Sequence, residues 1–396
     1  MKKQNYKRES LRICLISAIP CTIFFYRPLI EQLKKAKADV GVASSDMPEL
    51  YDLRDHFGCT IFPVEISRQI TPLKDLVAIV RLWTHLRRKG YDIVHAHTPK
   101  GGLVGMVSAY LARVPHRVYT VHGLVLETAA GLKRRLLWAA ELMSCKLATK
   151  VVAVSPSLRK RVLEEKLCPE EKVQVLGDGS ACGIDLRRFK LSAATAALGE
   201  QTRGQLNIPT DATVIGFVGR IVPDKGIETL VNSFVRLQQQ VPKAFLLLIG
   251  RLETMRDCLN HHTMYTINTD DRIHCMGHVK NVVPYYAAMD ILVLPSRREG
   301  FGLSLVEAGA LGLPVIATKV TGCVDAVVHN VTGLLVDVDN DQQLAEAMLK
   351  LLTDAELRRR FGEQGRQRVE AMFDSKLLID KHIAFYKELI GKAPER

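Results

Sequence analysis

Thirteen short apolar runs, each three to seven residues long, alternate with longer stretches of helical period along almost the whole chain. Runs this short, continuous rather than alternating in polarity, suit parallel strands covered by helices on both faces. In the first half they fall at 11–17, 40–44, 60–64, 93–96, 117–121, 151–154 and 173–176. In the second half they fall at 214–218, 245–249, 273–276, 291–294, 315–317 and 334–336. Between the third and fourth runs, Leu73, Leu76, Val77, Val80 and Trp83 repeat at helical spacing, which predicts a helix with one buried stripe.

Residues 177–209 break the alternation with Gly, Ser, Ala and Thr and no sustained period, as a linker would. The chain is 396 residues long, too many for one ordinary core, so two units are expected. The first spans 1–190 and is completed by a terminal helix over 375–390 within residues 375–396. The second spans 191–374, with further helices over 342–353 and 355–372. Two doubly wound units would face one another across a cleft and bind ligands beyond the carboxyl ends of their strands. Candidate functional residues are therefore sought in post-strand loops.

Charge is divided unevenly. Residues 1–176 carry 29 Lys and Arg against 16 Asp and Glu, whereas the remainder carries 26 of each, so the whole net charge of +13 belongs to the first half. Such asymmetry implies an anionic partner for one unit, or else a solvated basic face. Hydrophobic residues at 47% and charged residues at 24% place the chain among folded globular proteins. Nine dispersed cysteines with no C-x-x-C pair suit a reducing compartment. The opening Met-Lys-Lys and the apolar run from Ile13 imitate a signal peptide, but 11–17 reads equally well as a buried first strand. No uncharged apolar run reaches the roughly 18 residues that span a bilayer, so membrane contact, if any, is expected to be peripheral. The expected location is cytoplasmic.

The run at 291–294 leads into Pro295-Ser-Arg-Arg-Glu299-Gly-Phe-Gly-Leu-Ser-Leu-Val-Glu307. Gly300 and Gly302 open a helix whose free N–H groups and positive dipole end suit a diphosphate, with Phe301 and Leu303 supplying neighbouring amides. Glu299 stands in the loop and Glu307 about two turns later, so one carboxylate suits a sugar and the other a vicinal diol such as ribose. Isolated, the same residues would read as a helix-start acid and a solvated helix residue; the glycine-flanked strand-loop-helix setting favours a site. After the run at 214–218 come Gly219, Arg220 and Lys225-Gly226, two cations placed before a helix, which physically suit a pyrophosphate. His122-Gly123 ends the strand at 117–121. His95 and His97 end the preceding one, followed by Lys100-Gly101-Gly102, and one of these two histidines is expected to face the cleft while the other packs.

Glu299 and Glu307 resemble the E-x7-E signature of the family-four retaining glycosyltransferases, and Arg220, Lys225 and His122 stand where that family places its donor-diphosphate cations and its histidine near the donor sugar. The phrase His97-Thr-Pro-Lys100-Gly101-Gly102 is similar to a subgroup that builds bacterial surface polysaccharides on lipid-diphosphate-linked sugars. Gly179-Ser180-Ala-Cys182-Gly183-Ile-Asp185 is similar to that subgroup's Gly-Ser-x-Asn-Gly-Val-Asp, with Cys182 in place of Asn. The loop Ala18-Ile-Pro20-Cys21 lacks the paired glycines of many relatives.

The resemblance implies the α/β GT-B architecture and a retaining hexosyltransferase that uses a nucleotide-sugar donor, a UDP-sugar, and a lipid-diphosphate-linked saccharide acceptor, with no cofactor and no metal. Its catalytic set would be Glu299, His122, Lys225 and Arg220. The donor set would be Arg220, Lys225, Gly300, Phe301, Gly302, Leu303 and Glu307, and the acceptor side His97, Lys100, Gly101 and Gly102. Asp337-Val-Asp339 imitates a D-x-D metal motif but is read as helix-start acid. The segment 132–150 interleaves Lys133, Arg134, Arg135, Lys146 and Lys150 with Leu136, Leu137, Trp138, Leu142 and Met143, and suits an anionic bilayer or packing on the sheet equally. Rival readings are a sugar-nucleotide epimerase or hydrolase on the same scaffold, or a non-catalytic basic protein binding membrane or nucleic acid. The missing aromatic-basic interleaving speaks against nucleic acid.

Overall fold

A computed structural model of the chain describes residues 10–67, 69–253 and 258–391. It divides into two compact units: unit 1, Met1–Gly183 with Ser375–Arg396, and unit 2, Ile184–Asp374.

Unit 1 is built on seven strands: β1 (Arg12–Ser17), β2 (Asp39–Ser44), β3 (Thr60–Pro63), β4 (Ile93–His97), β5 (His116–Val121), β6 (Lys150–Ala153) and β7 (Val173–Val175). They form one parallel sheet in the order β3-β2-β1-β4-β5-β6-β7. The winding reverses between β1 and β4, which opens a crevice at their carboxyl ends. Cys14, Leu15, Ile16, Val94 and Ala96 are fully buried, because helices cover both faces of this central pair. The apolar run from Ile13 thus begins in an interior strand of the sheet, as the buried-strand reading of 11–17 expects. The helix Ser375–Gly391 belongs to this unit, where Ile379, Phe385, Tyr386 and Leu389 join the core formed by β1, β2 and the helix Arg27–Lys35.

Unit 2 has six parallel strands, β8 (Thr213–Val218), β9 (Ala244–Ile249), β10 (Ile273–Gly277), β11 (Ile291–Leu294), β12 (Val315–Thr318) and β13 (Gly333–Val336), in the order β10-β9-β8-β11-β12-β13. Its switch point lies between β8 and β11, which pair through Ile215 and Ile291. Glycines set the close approaches: a Cβ on Gly226, at φ 70°, would lie 1.9 Å from the carbonyl oxygen of Pro295.

Two expectations fail. The segment 177–209 is not all linker, since Ala193–Gln205 is a helix capped by Ser192, whose hydroxyl accepts from the Thr195 N–H at 3.2 Å. Gly199 and Gly204 conceal it from propensity, but Gly199 lets it pack on Ala287, where a Cβ would lie 2.3 Å from a carbonyl oxygen. Arg203 ties it further to the Ala288 carbonyl and the Asp290 carboxylate. The helix Pro72–Lys89 exists, but its buried residues are Ala78, Leu82 and Leu86, while Leu73, Leu76, Val77 and Val80 face solvent.

Candidate functional site

In unit 2, the loops after β8 and β11 flank the switch point and are bolted together. The Arg297 N–H donates to the Asp224 carbonyl at 2.9 Å, and the Arg298 guanidinium pairs with the Asp224 carboxylate at 2.6 Å. Across this seam the Lys225 ammonium donates to Glu299 Oε1, to which Ser296 Oγ also donates at 2.8 Å. Thr318, at the end of β12, donates in turn to the Ser296 carbonyl. Two residues 74 positions apart in sequence therefore share one ion pair, mostly screened from water. The guanidinium of Arg220, on the loop after β8, has no hydrogen-bond or ion-pair partner among the described residues and is half-buried.

Gly302, at φ 71°, precedes the helix Leu303–Ala310 and its carbonyl accepts from the Leu305 N–H at 3.0 Å, while the N–H groups of Leu303 and Ser304, at the helix start, lack intrahelical carbonyls. Phe301 is buried, with its ring packed edge-on to Phe373 at 5.1 Å, so its side chain anchors the loop rather than lining a donor pocket. Gly322 holds the loop from behind: at φ 80°, a Cβ there would lie 2.5 Å from the carbonyl carbon of Gly300. Glu307 lies on the helix, where burial pushes its carboxyl up to about 7 despite the Tyr286 hydroxyl, which donates to Oε2 at 2.7 Å, and the nearby charge of Arg188. Tyr286, Arg188, Ser296, Thr318 and Gly322 are supports that sequence reading missed. Only Gly322 and Ser296 carried any signal, as small residues in post-strand loops.

Asp337 pairs with Lys319 at 2.8 Å and Asp339 with Arg297 at 2.9 Å, while the next helix is capped by Asn340 and carries Asp341 in its first turn. The two aspartates are thus ion-paired loop residues rather than helix-start acids.

Unit 1 presents different chemistry at its own switch point. His95 and His97 stand two residues apart, hence on the same face of β4, and both are fully buried with ring centroids 4.2 Å apart. The expected split between a cleft-facing and a packing histidine therefore fails. His95 Nδ1 meets the Tyr386 hydroxyl and Nε2 the Thr120 hydroxyl, both at 2.6 Å. His97 Nδ1 lies 3.3 Å from His122 Nε2, one nitrogen donating to the other. Burial drives the His95 and His97 rings well below the ordinary imidazole range, and burial with His382 nearby lowers His122 to about 4, so all three are neutral at physiological pH.

Three buried polar atoms near the ends of β1 and β4 have no hydrogen-bond partner among the described residues: Ser17 Oγ, His97 Nε2 and Thr98 Oγ1. Thr98 has φ 67°, unusual for a β-branched residue. Lys100, expected on the acceptor side, is held by the Asp75 carboxylate in a largely buried pair. Gly101 and Gly102 serve packing, since a Cβ on Gly102 would lie 2.2 Å from the Tyr119 ring and one on Gly101 would lie 3.0 Å from Ser17 Cα.

Two doubly wound parallel sheets, one with an ion-paired glycine-flanked loop at its switch point, define a GT-B architecture. Residues 25–179 match the model of the glycosyl transferase 4-like domain, and residues 199–368 that of glycosyl transferases group 1. The chain is 36% identical over 388 residues to the capsular polysaccharide biosynthesis glycosyltransferase CapM of Staphylococcus aureus, covering 97% of this chain and 100% of that one. It is 24% identical over 363 residues to the UDP-Gal:alpha-D-GlcNAc-diphosphoundecaprenol alpha-1,3-galactosyltransferase of Escherichia coli, covering 91% and 92% of the two. The solved structure of Anabaena HepE in complex with UDP-glucose matches with a TM-score of 0.78 at 20% identity, over 96% of this chain and 100% of that one. The chain belongs to this glycosyltransferase family.

Proposed function

We propose that the chain is a retaining hexosyltransferase that moves a sugar from a UDP-sugar to a hydroxyl of a lipid-diphosphate-linked saccharide, at the cytoplasmic face of the membrane, in capsular or related surface polysaccharide synthesis. The observation that carries this is the union of Lys225 and Glu299 across adjacent loops at the unit 2 switch point, with Arg220 beside them on the same chain segment.

Arg220, Lys225 and the backbone amides of Gly300, Phe301, Gly302 and Leu303 hold the diphosphate and stabilise the charge that grows on it as the anomeric C–O bond breaks. Glu299, fixed by Lys225 and Ser296, orients the sugar hydroxyls, and Glu307 takes the ribose diol. The reading uses no enzymic nucleophile and no metal, because the cations and amides neutralise the leaving group. On unit 1, His122 acts as a neutral hydrogen-bonding group for the reacting sugar, and the unpartnered Ser17, His97 and Thr98 atoms serve polar groups of the acceptor.

Two relatives, one named for capsular polysaccharide biosynthesis and the other for transfer to a diphosphoundecaprenol-linked sugar, support this acceptor class. The experiment is incubation of the full chain with UDP-sugars, with and without a polyprenyl-diphosphate-linked saccharide. Acceptor-dependent sugar transfer with an unchanged anomeric configuration is expected. Rapid epimer or free-sugar formation that ignores the acceptor contradicts the proposal.

A further inference from the structure

The helix Pro72–Lys89 is apolar on two opposite sides. One side buries Ala78, Leu82 and Leu86, and the helix packs on the helix Pro99–Leu111. Advancing 100° per residue, Leu73, Leu76, Val77 and Val80 centre on the opposite side, where they are exposed by 81%, 58%, 60% and 47%. Ile70, just before the helix, continues the stripe. Single exposed leucines are ordinary, but five large apolar residues on one face form a contiguous patch of the kind that marks an interaction surface.

Charge identifies the partner. Along one border of the stripe run Lys74, Arg81 and Arg88, and the last turn adds Arg87 and Lys89. The helix's one acid, Asp75, lies away from the stripe and is neutralised by Lys100. Glu65 meets Lys74 at 2.9 Å with both side chains mostly exposed, whereas Arg87 and Arg88 have no ion-pair partner among the described residues. This helix thus carries part of the charge surplus of residues 1–176. The helix Gly131–Leu147 also exposes Leu132, Leu136 and Met143 and carries Lys133 and Arg135, but acids border it: Arg134 is held by Glu165 at 2.7 Å, and Glu127 and Glu164 engage Arg161 of the helix Pro156–Glu164.

We propose that the outer face of the Pro72–Lys89 helix docks the protein flat on an anionic phospholipid bilayer. Leu73, Leu76, Val77 and Val80 enter the boundary between headgroups and acyl chains, and Arg81, Arg87 and Arg88 meet lipid phosphates. The helix starts just beyond β3, at the sheet end where β4 places His97 and Thr98. A lipid-borne saccharide would thereby be presented to the strand ends of unit 1, and only this last step rests on the proposed acceptor class.

The test is co-sedimentation of the full chain with vesicles of phosphatidylcholine alone and of phosphatidylcholine mixed with phosphatidylglycerol. Four proteins are compared: wild type, Leu73→Ser/Val77→Ser, Arg87→Ser/Arg88→Ser, and Leu132→Ser/Leu136→Ser, with unchanged melting confirming that each exposed substitution leaves the fold intact. Wild type should sediment with the anionic vesicles, the first variant should lose at least about tenfold in partitioning, the second should lose the preference for anionic lipid, and the third should behave as wild type. Transfer to a water-soluble acceptor by Leu73→Ser/Val77→Ser should be retained, so a failure of docking and a failure of the transferase reading are read separately. The proposal is overturned if wild type does not sediment, if Leu73→Ser/Val77→Ser sediments as wild type does, or if the stripe instead closes a dimer in solution that the same variant dissociates.

Discussion

The carboxyl ends of the two sheets share a topology and differ in electrostatics. At the switch point between β8 and β11, charged side chains meet: Lys225 with Glu299, Arg298 with Asp224, and Arg220 nearby without a partner among the described residues. At the switch point between β1 and β4, the side chains are neutral histidines, hydroxyls and tyrosines, deeply buried, and the cation that follows β4, Lys100, is taken by Asp75. Unit 2, whose residues 184–374 carry 21 Lys and Arg against 22 Asp and Glu, thus concentrates cations at its strand ends, while the basic first half of the chain places neutral groups at the ends of β4 and β5. Net charge over a whole unit and the local arrangement of charge at its strand ends are thus separate properties, the first bearing on the proposed docking surface and the second on the proposed donor site.

Removing the central cation of the charged end should have the largest effect. Lys225→Ala should lower kcat about 10²–10³-fold, the scale of losing one preorganised charge-stabilising donor, as measured by steady-state transfer from a UDP-sugar. Wild-type turnover in that variant would erase the contrast between the two ends.

The next test compares two matching carboxyls. Glu141 in unit 1 accepts from Tyr119 and Glu307 in unit 2 from Tyr286, both at 2.7 Å, and burial pushes each carboxyl up to about 7. Glu141 is 4% exposed and Glu307 more open, so the first is read as structural and the second as ligand-facing. A carboxyl raised in the folded state favours folding below its unfolded pKa near 4.5, and that contribution is lost as pH rises through about 7. Glu141→Gln should therefore be more stable than wild type by roughly 1–3 kcal/mol at pH 8.5, with the gain vanishing below pH 4.5, as followed by denaturant unfolding. A gain independent of pH would mean that Glu141 is not held as an acid.

The smallest expected effect is a pH dependence of donor affinity. As pH falls through about 7, Glu307 loses the carboxylate that accepts from the ribose diol, so KM for the donor should rise severalfold between pH 8 and 6 in wild type and stay flat in Glu307→Gln. His122, lowered to about 4, should add no limb near 6.5.

These contrasts were unequally legible in the sequence. Buried parallel strands are continuous apolar runs, so all thirteen lie where the runs predict them. Loops following such strands were found for the same reason, which brought Arg220, Lys225, Glu299 and His122 into view. Periodicity failed where it had to name a partner: an apolar stripe at 73, 76, 77 and 80 says that one face is apolar, not that protein covers it. It failed again at the Ala193–Gln205 helix, whose glycines lower local propensity while permitting the contact with Ala287 that holds it. Tyr286 and Arg188 were invisible because they reach Glu307 from distant segments, and the pairing of Lys100 was invisible because its partner, Asp75, lies on another helix.

The most direct test is calorimetric titration of a UDP-sugar into wild type, Lys225→Ala, Glu307→Ala and Lys100→Ala. The account predicts that the first two substitutions weaken binding at least about tenfold, a loss of some 1.4 kcal/mol, while Lys100→Ala binds as wild type does. Unaltered binding in Lys225→Ala and Glu307→Ala, with loss in Lys100→Ala, would contradict the placement of the donor site in unit 2.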